Sequence, residues 1–251
     1  MDGVEFRDVS FERPGRARIL DGFTVTVADG EVVALVGASG AGKTTVLKLV
    51  NRMLLPDAGV VCVQGTDTRE WDPIRLRRSV GYVIQEIGLF PHLTVADNIA
   101  VVPRLERWDV SRIDARVREL LELIGLPHEP YARRWPDELS GGQRQRVGVA
   151  RALAVDPPVL VMDEPFGSLD PVTRRQLHTE FRRIQSRLRK TVLLVTHDMA
   201  EAMTLADRIG VLDEGRLIWI GPPEAIPACE DPRVRTFVDA VTPPARAAGP
   251  A

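Results

Sequence analysis

The chain of 251 residues is 44% hydrophobic and 27% charged, and its 33 Lys and Arg against 35 Asp and Glu leave a formal net charge of -2. That balance removes the broad basic field on which nucleic-acid binding relies, and no run approaches the roughly 18 apolar residues that span a bilayer. Cys62 and Cys229 are too few for a disulfide framework or a Cys-rich zinc site, and Met1-Asp2-Gly3-Val4-Glu5 lacks a basic and apolar leader, so a reduced, unexported chain with no membrane span is expected.

In chain order, Val4 to Phe6 and Thr24 to Val27 read as short strands, with turn chemistry at Pro14-Gly15 and Ala28-Asp29-Gly30. Val32 to Val36 is the first of four uninterrupted apolar runs, the others being Val80 to Ile84, Val159 to Met162 and Val192 to Val195. Such runs lack a polar alternate face and read as buried parallel strands. Helical spacing follows the first run at Val46, Leu47, Leu49, Val50, Met53 and Leu54, and separates the last two at Leu177, Phe181, Ile184 and Leu188. Strand and helix in alternation predict an α/β sheet. From Glu86 to Asp156 the pattern is helical instead, with Ile113, Val117, Leu120, Leu121 and Ile124 stopping at Gly125, and Val147 to Leu153 forming another helix. Arg208 to Leu212 and Arg216 to Ile220 read as a hairpin through Asp213-Glu214-Gly215. A short helical stretch then runs towards Val241, and Thr242 to Ala251 is a Pro/Ala/Gly tail expected to be disordered.

The first buried run leads directly into Gly37-Ala38-Ser39-Gly40-Ala41-Gly42-Lys43-Thr44, which fits G-x-x-x-x-G-K-[ST] and opens a helix at Lys43-Thr44-Thr45. Its glycines let consecutive N–H groups curl into an anion nest, the helix start adds its dipole, and Lys43 puts a cation at the β- and γ-phosphates. Thr44 offers a hydroxyl to Mg2+. The run Val159 to Met162 ends in Asp163-Glu164, which by itself is an ordinary solvated strand end. Beside a phosphate loop, Asp163 becomes the metal residue and Glu164 the base that takes a proton from attacking water. Leu139-Ser140-Gly141-Gly142-Gln143 precedes a helix, so it is either a plain cap or a second anion site at a helix start.

Gly37 to Thr45, Leu139 to Gln143, Val159 to Glu164, Ser168-Leu169-Asp170 and Thr196-His197-Asp198, in that order, resemble the nucleotide-binding subunit of an ABC transporter over roughly Val4 to Val241. The resemblance implies a P-loop NTPase (RecA-like) core at residues 1–85 and 157–221 that carries an N-terminal antiparallel β subdomain. A helical signature subdomain is implied at 86–156 and a C-terminal extension at 222–241, with 1–241 as one ATPase domain. It implies ATP and Mg2+, and a head-to-tail homodimer or paired cassettes in which Ser140, Gly141, Gly142 and Gln143 of one chain meet the ATP of the other. By the same resemblance Gln85 is a lid residue at the metal and attacking water, Asp170 belongs to an interface loop, and His197 bonds the γ-phosphate. Where the family places a base-stacking aromatic, this chain has Arg13, so that Arg13 stacks on adenine, or Phe11 does after a local shift, or stacking is weaker.

Gly81 to Val95, then Asn98-Ile99 and Val101-Val102-Pro103, is similar to importers of quaternary ammonium osmoprotectants such as glycine betaine, choline or carnitine, as is Val147 to Pro158. Polar amino-acid importers share part of this stretch, and soluble ABC ATPases share the nucleotide motifs. The resemblance implies transmembrane permease subunits as partners, a substrate-binding protein met only through them, and a peripheral place on the cytoplasmic face of the membrane. Leu89, Phe90 and Leu93 are candidates for the permease-docking surface or, equally, for core packing.

Overall fold

The computed structural model describes residues 2–13, 18–85 and 88–239. The expected turn at Pro14-Gly15, the Glu86 start of the helical segment and the tail from Thr242 lie outside the described residues. Strands β1 (Asp2–Glu12) and β2 (Arg18–Ala28) lead into β3 (Val32–Val36), the phosphate-loop segment and α1 (Lys43–Val50). β4 (Ala58–Val63), β5 (Thr66–Asp67), α2 (Pro73–Ser79) and β6 (Val80–Val83) follow. The helical stretch holds α3 (Val95–Leu105), α4 (Val110–Leu123), α5 (His128–Tyr131) and α6 (Gly141–Ala152). The chain returns through β7 (Val159–Asp163), α7 (Pro171–Leu188), β8 (Thr191–Thr196), α8 (Met199–Leu205), β9 (Arg208–Asp213), β10 (Arg216–Gly221) and α9 (Pro232–Asp239).

Two sheets form, one of four strands in the order β2-β1-β4-β5 and one of six in the order β10-β9-β3-β8-β7-β6. The first is antiparallel throughout. In the second, β9, β3, β8, β7 and β6 run parallel and β10 closes the edge as an antiparallel hairpin strand. The apolar runs predicted as parallel strands are buried on both faces because each face meets a different layer. Val33, Leu35, Val161, Leu193 and Val195 pack with α1 and the antiparallel sheet. Val32, Ala34, Leu160, Met162 and Leu194 pack instead with the helices.

The N-terminal strands are longer than Val4 to Phe6 and Thr24 to Val27 suggest, and the reason lies in how β1 pairs with β2. Between Phe6 and Val9 the β1–β2 register shifts, with Asp8 at φ 50. This bulge moves Val9 and Phe11 onto the same buried side as Val4 and Phe6, which breaks the alternation a strand reading relies on. Helix ends follow their sequence marks more closely. Asp170 caps α7 with Pro171 in its first turn, and Gly125, at φ 69, lies just beyond the last turn of α4.

The helical layer touches the sheet where α6 crosses β6. A Cβ on Gly81 would stand 2.4 Å from Leu160 Cδ2 and 2.5 Å from the Ala152 carbonyl oxygen. Gly81→Ala is therefore expected to lower unfolding free energy by about 1–3 kcal/mol, as overpacking does. Urea denaturation checks this, and an unchanged midpoint would contradict the close approach.

Candidate active site

Parallel register puts three strand ends on one edge. Val36 pairs with Thr196 and Val195 with Asp163, so the phosphate loop, His197 and the Asp163-Glu164 pair leave the sheet side by side. Ligands bind at this carboxyl edge in open α/β sheets.

The loop from Gly37 to Gly42 ends in the cap of α1, where Gly42 holds φ 107. A Cβ there would meet Leu20 Cδ2 at 2.8 Å and the Ile19 carbonyl oxygen at 2.9 Å, so only glycine closes the loop against β2. Lys43 is 7% exposed, and its Nζ donates to the carbonyls of Gly37 (2.7 Å) and Ala38 (2.9 Å). Burial lowers its pKa, while Glu164 and Asp163 oppose that shift. Ala38, Ser39 and Gly40 are exposed along the loop, and Ala41 and Thr45 point inward.

Thr44 Oγ1 donates to Asp163 Oδ1 at 3.1 Å. Burial raises the Asp163 carboxyl, the Thr44 bond counters it, and Glu164 raises it further. The Tyr82 phenol interacts with Asp163 and is pushed up to about 12 by burial and by that carboxylate. The donors Thr44 and Asp163 are hard oxygens, and among the described residues no group of three or more His, Cys, Asp or Glu gathers as a closed metal cage. That set suits Mg2+, which takes one or two protein ligands and fills its shell with phosphate and water.

Glu164 sits in the left-handed region at φ 44, a conformation that costs a non-glycine residue energy and persists where surroundings impose it. Here its N–H is tied to the Val195 carbonyl at 2.9 Å. One carboxylate oxygen, Oε2, is met by Gln85 Nε2 at 3.2 Å and by His197 Nδ1 at 2.9 Å. Gln85 and His197, read from separate stretches of sequence, thus converge on a single atom of Glu164.

An open cleft of about 1010 Å3 runs from Lys43, Thr44, Thr45 and Glu164 to Arg13. Phe11 does not reach it. Its ring is 8% exposed and packs in the core between the sheets, so the alternative that Phe11 stacks on a base is corrected by the bulge that turned it inward. Arg18, Ile19, Glu214 and Gly215 also line the cleft and carry no motif. They arrive because Asp21 N–H bonds the Gly215 carbonyl at 3.1 Å, drawing the β9–β10 turn onto β2. The hairpin turn at Asp213-Glu214-Gly215 was the one available signal, and it does not say what the turn touches.

The Ser140 segment lies elsewhere. Ser140 caps α6 in a box with Gln143, accepting from Gln143 N (3.3 Å) and donating its own N–H to Gln143 Oε1 (2.9 Å). Gly141 and Gly142 face Leu169 and Thr173 at the start of α7, and none of Ser140 to Gln143 lines the cleft. Asp170 accepts from Val172 N and Thr173 N; the Thr173 side chain first, then these backbone bonds, hold its carboxyl below the usual range, and it too is outside the cleft.

The sequence profile described as ABC transporter matches residues 20–167. The chain belongs to the ABC transporter family. It is 48% identical to the choline transport ATP-binding protein of Bacillus subtilis over 223 residues, 89% of this chain and 58% of that one. It is 47% identical over 220 residues to the glycine betaine uptake system ATP-binding protein of Escherichia coli, 88% of this chain and 71% of that one. The chain thus spans little more than half the length of the choline relative. Among solved structures, an ATP-binding cassette dimer in a post-hydrolysis state with ADP and phosphate matches with TM-score 0.77 and 30% identity, covering 88% of this chain and 98% of that one. An ABC transporter component from Clostridium perfringens matches with TM-score 0.83 and 26% identity over 96% of each chain. The P-loop α/β core, antiparallel sheet and inserted helices are this family's architecture.

The Gly42 geometry makes a sharp expectation for an ABC cassette. Gly42→Ala combines an unfavourable φ with a clash, so nucleotide affinity should fall by about tenfold or more. Titration with a fluorescent ATP analogue measures it, with circular dichroism to confirm that the fold persists.

Proposed function

We propose that the chain binds and hydrolyses ATP as the nucleotide-binding subunit of an importer for a quaternary ammonium osmoprotectant such as glycine betaine, choline or carnitine. The observation that carries the hydrolysis reading is the convergence of Gln85 and His197 on Glu164 Oε2, next to the phosphate loop. The names of the relatives, which include choline and glycine betaine uptake, support the substrate class.

In this reading the loop N–H groups and Lys43 hold the β- and γ-phosphates, and Glu164 orients water and accepts its proton. His197 reaches the γ-phosphate from β8, and Gln85 shares its hold on Glu164. Thr44 and Asp163, with Gln85 near them, would hold Mg2+, which when bound neutralises charge on the phosphate oxygens. Arg13 offers a guanidinium plane to the base, in a cleft whose lining has no aromatic side chain among the described residues. The exposed helix start at Ser140 completes the site of a second copy, consistent with its position outside this chain's own cleft and with a dimeric cassette among the structural neighbours.

Permease docking would use the loop at Phe90. Leu89 and Leu93 are half-buried, but the Phe90 ring is 41% exposed and stands 5.8 Å from the Arg151 guanidinium. Fully buried Asn98 clamps this loop, accepting from Phe90 N at 2.8 Å and donating to the carbonyls of Phe90 (3.1 Å) and Leu93 (3.0 Å). Among the described residues no helix is long and apolar enough to cross a membrane, so contact with the bilayer would run through such partners.

The test is ATP turnover in liposomes carrying the chain with its permease and binding protein, with glycine betaine, choline, carnitine or a polar amino acid supplied. Stimulation by a quaternary amine is expected, and stimulation by the amino acid alone would overturn the substrate class. Glu164→Gln should keep ATP binding and lose turnover by about 100-fold or more; turnover at the wild-type rate would remove Glu164 from the base role. Phe90→Asp should leave nucleotide affinity intact while abolishing substrate-stimulated turnover, and retained stimulation would contradict docking at this loop.

A further inference from the structure

Glu201 lies in the first turn of α8, four residues past His197, and is only 2% exposed. Its Oε2 accepts from Thr196 Oγ1 at 3.2 Å, while Oε1 is buried without a hydrogen-bond partner. Thr196 Oγ1 in turn accepts from Asp198 N at 3.0 Å. Asp198 caps the helix through Ala200 N and Glu201 N, and its Oδ2 pairs with Arg174 Nη1 at 3.1 Å. Arg174 Nη2 reaches on to the Leu169 carbonyl at 3.0 Å. Both neighbours of His197 are therefore held in one closed network whose innermost member is a carboxyl group that touches neither the cleft nor Glu164.

We propose that Glu201 is a positioning residue: through Thr196 and Asp198 it fixes the backbone of the His197 loop and so aims the imidazole at Glu164 Oε2. This rests on the hydrolysis reading for its kinetic consequence, though not for its structural one. The imidazole meets Glu164 Oε2 at 2.9 Å, on the same oxygen that accepts from Gln85 Nε2 at 3.2 Å, so its aim depends on how the loop that carries it is held.

The network also has a pH sense. Burial, reinforced by the Asp198 carboxylate, raises the Glu201 carboxyl from its ordinary range to about 8. The other groups facing it are Arg174 on α7, which lowers it, and Glu164 at the end of β7, which raises it. β3, packed on the far side of α8, presents only aliphatic side chains, and burial keeps the nearby His178 imidazole below its usual value. Near neutrality Glu201 is consequently protonated and adds no charge. As pH climbs through about 8 it ionises next to the Asp198 carboxylate, and that repulsion weakens its hold on the loop. The sign for stability agrees: a raised carboxyl pKa means the folded chain keeps a proton the unfolded chain releases, so stability falls as pH rises from the unfolded value through the folded one.

Two variants of the full chain test this. Glu201→Ala should lower kcat by about 10- to 100-fold with KM for ATP little changed, the cost of misplacing a reacting group, and should move the His197 ring resonances in an NMR spectrum. Glu201→Gln, a neutral isostere, should rescue kcat at neutral pH, restore the His197 resonances, and remove the wild-type decline of kcat between pH 7.5 and about 9. With four histidines in the chain, the His197 signals are assignable by substitution. His197 resonances unmoved in Glu201→Ala, or an alkaline decline that persists in Glu201→Gln, would overturn the proposal. If the wild-type chain hydrolyses no ATP, the hydrolysis reading fails by itself, and the His197 resonances still decide whether Glu201 positions that ring.

Discussion

Everything at the candidate site depends on β8 lying between β3 and β7 in parallel. Hydrogen-bonded strands sit close to 5 Å apart, so three neighbouring strand ends deliver three loops within the span of a triphosphate. The phosphate loop leaves β3, His197 leaves β8, and Asp163-Glu164 ends β7, all at one edge. The parallel arrangement demands burial on both faces, and the antiparallel sheet with α1 on one side and the helical layer on the other supply it. Core packing is thus what sets the distances between groups that come from residues 33 to 119 positions apart in the chain.

Within that frame the chain spends local stability where charge must be managed. Glu164 is held in a left-handed conformation, Lys43 is buried against carbonyl oxygens, and Asp163 is raised by burial next to a second carboxylate. Each would be unfavourable alone. Together they place two acids and one cation around a space that an anionic nucleotide with its metal ion would neutralise, an arrangement in which electrostatic preorganisation dominates over covalent help. The Thr196-Asp198-Glu201 network stands behind this cluster, next to the His197 ring that meets Glu164 from the end of β8.

Most of this was legible because the decisive residues sit directly at strand ends. Gly37 to Thr44, Asp163-Glu164 and Thr196-His197 each follow an apolar run, so element and motif identify each other. What was not legible depends on long-range register. The bulge at Asp8 lengthens β1 and turns Phe11 into the core, which no local pattern announces. Arg18, Ile19, Glu214 and Gly215 reach the cleft only because β2 and the β9–β10 turn touch. Glu201 has the spacing of an ordinary first-turn acid after a capping Asp, and only the fold reveals that its carboxyl is sealed from water. β4 and β5 escaped because Ala58 to Val63 is exposed at one end and buried at the other, so neither strand template fits it.

In the proposed dimer the cleft of one chain would be half of a site and the Ser140 helix start of a second chain would be the other half. This division is tested most directly by mixing two inactive variants, Lys43→Ala and Ser140→Arg, and measuring ATP turnover. If the halves come from different chains, mixed dimers contain one site with both defects and one with none, and activity should reappear in the mixture. Turnover that stays at the level of the separate variants would contradict a site shared across the dimer.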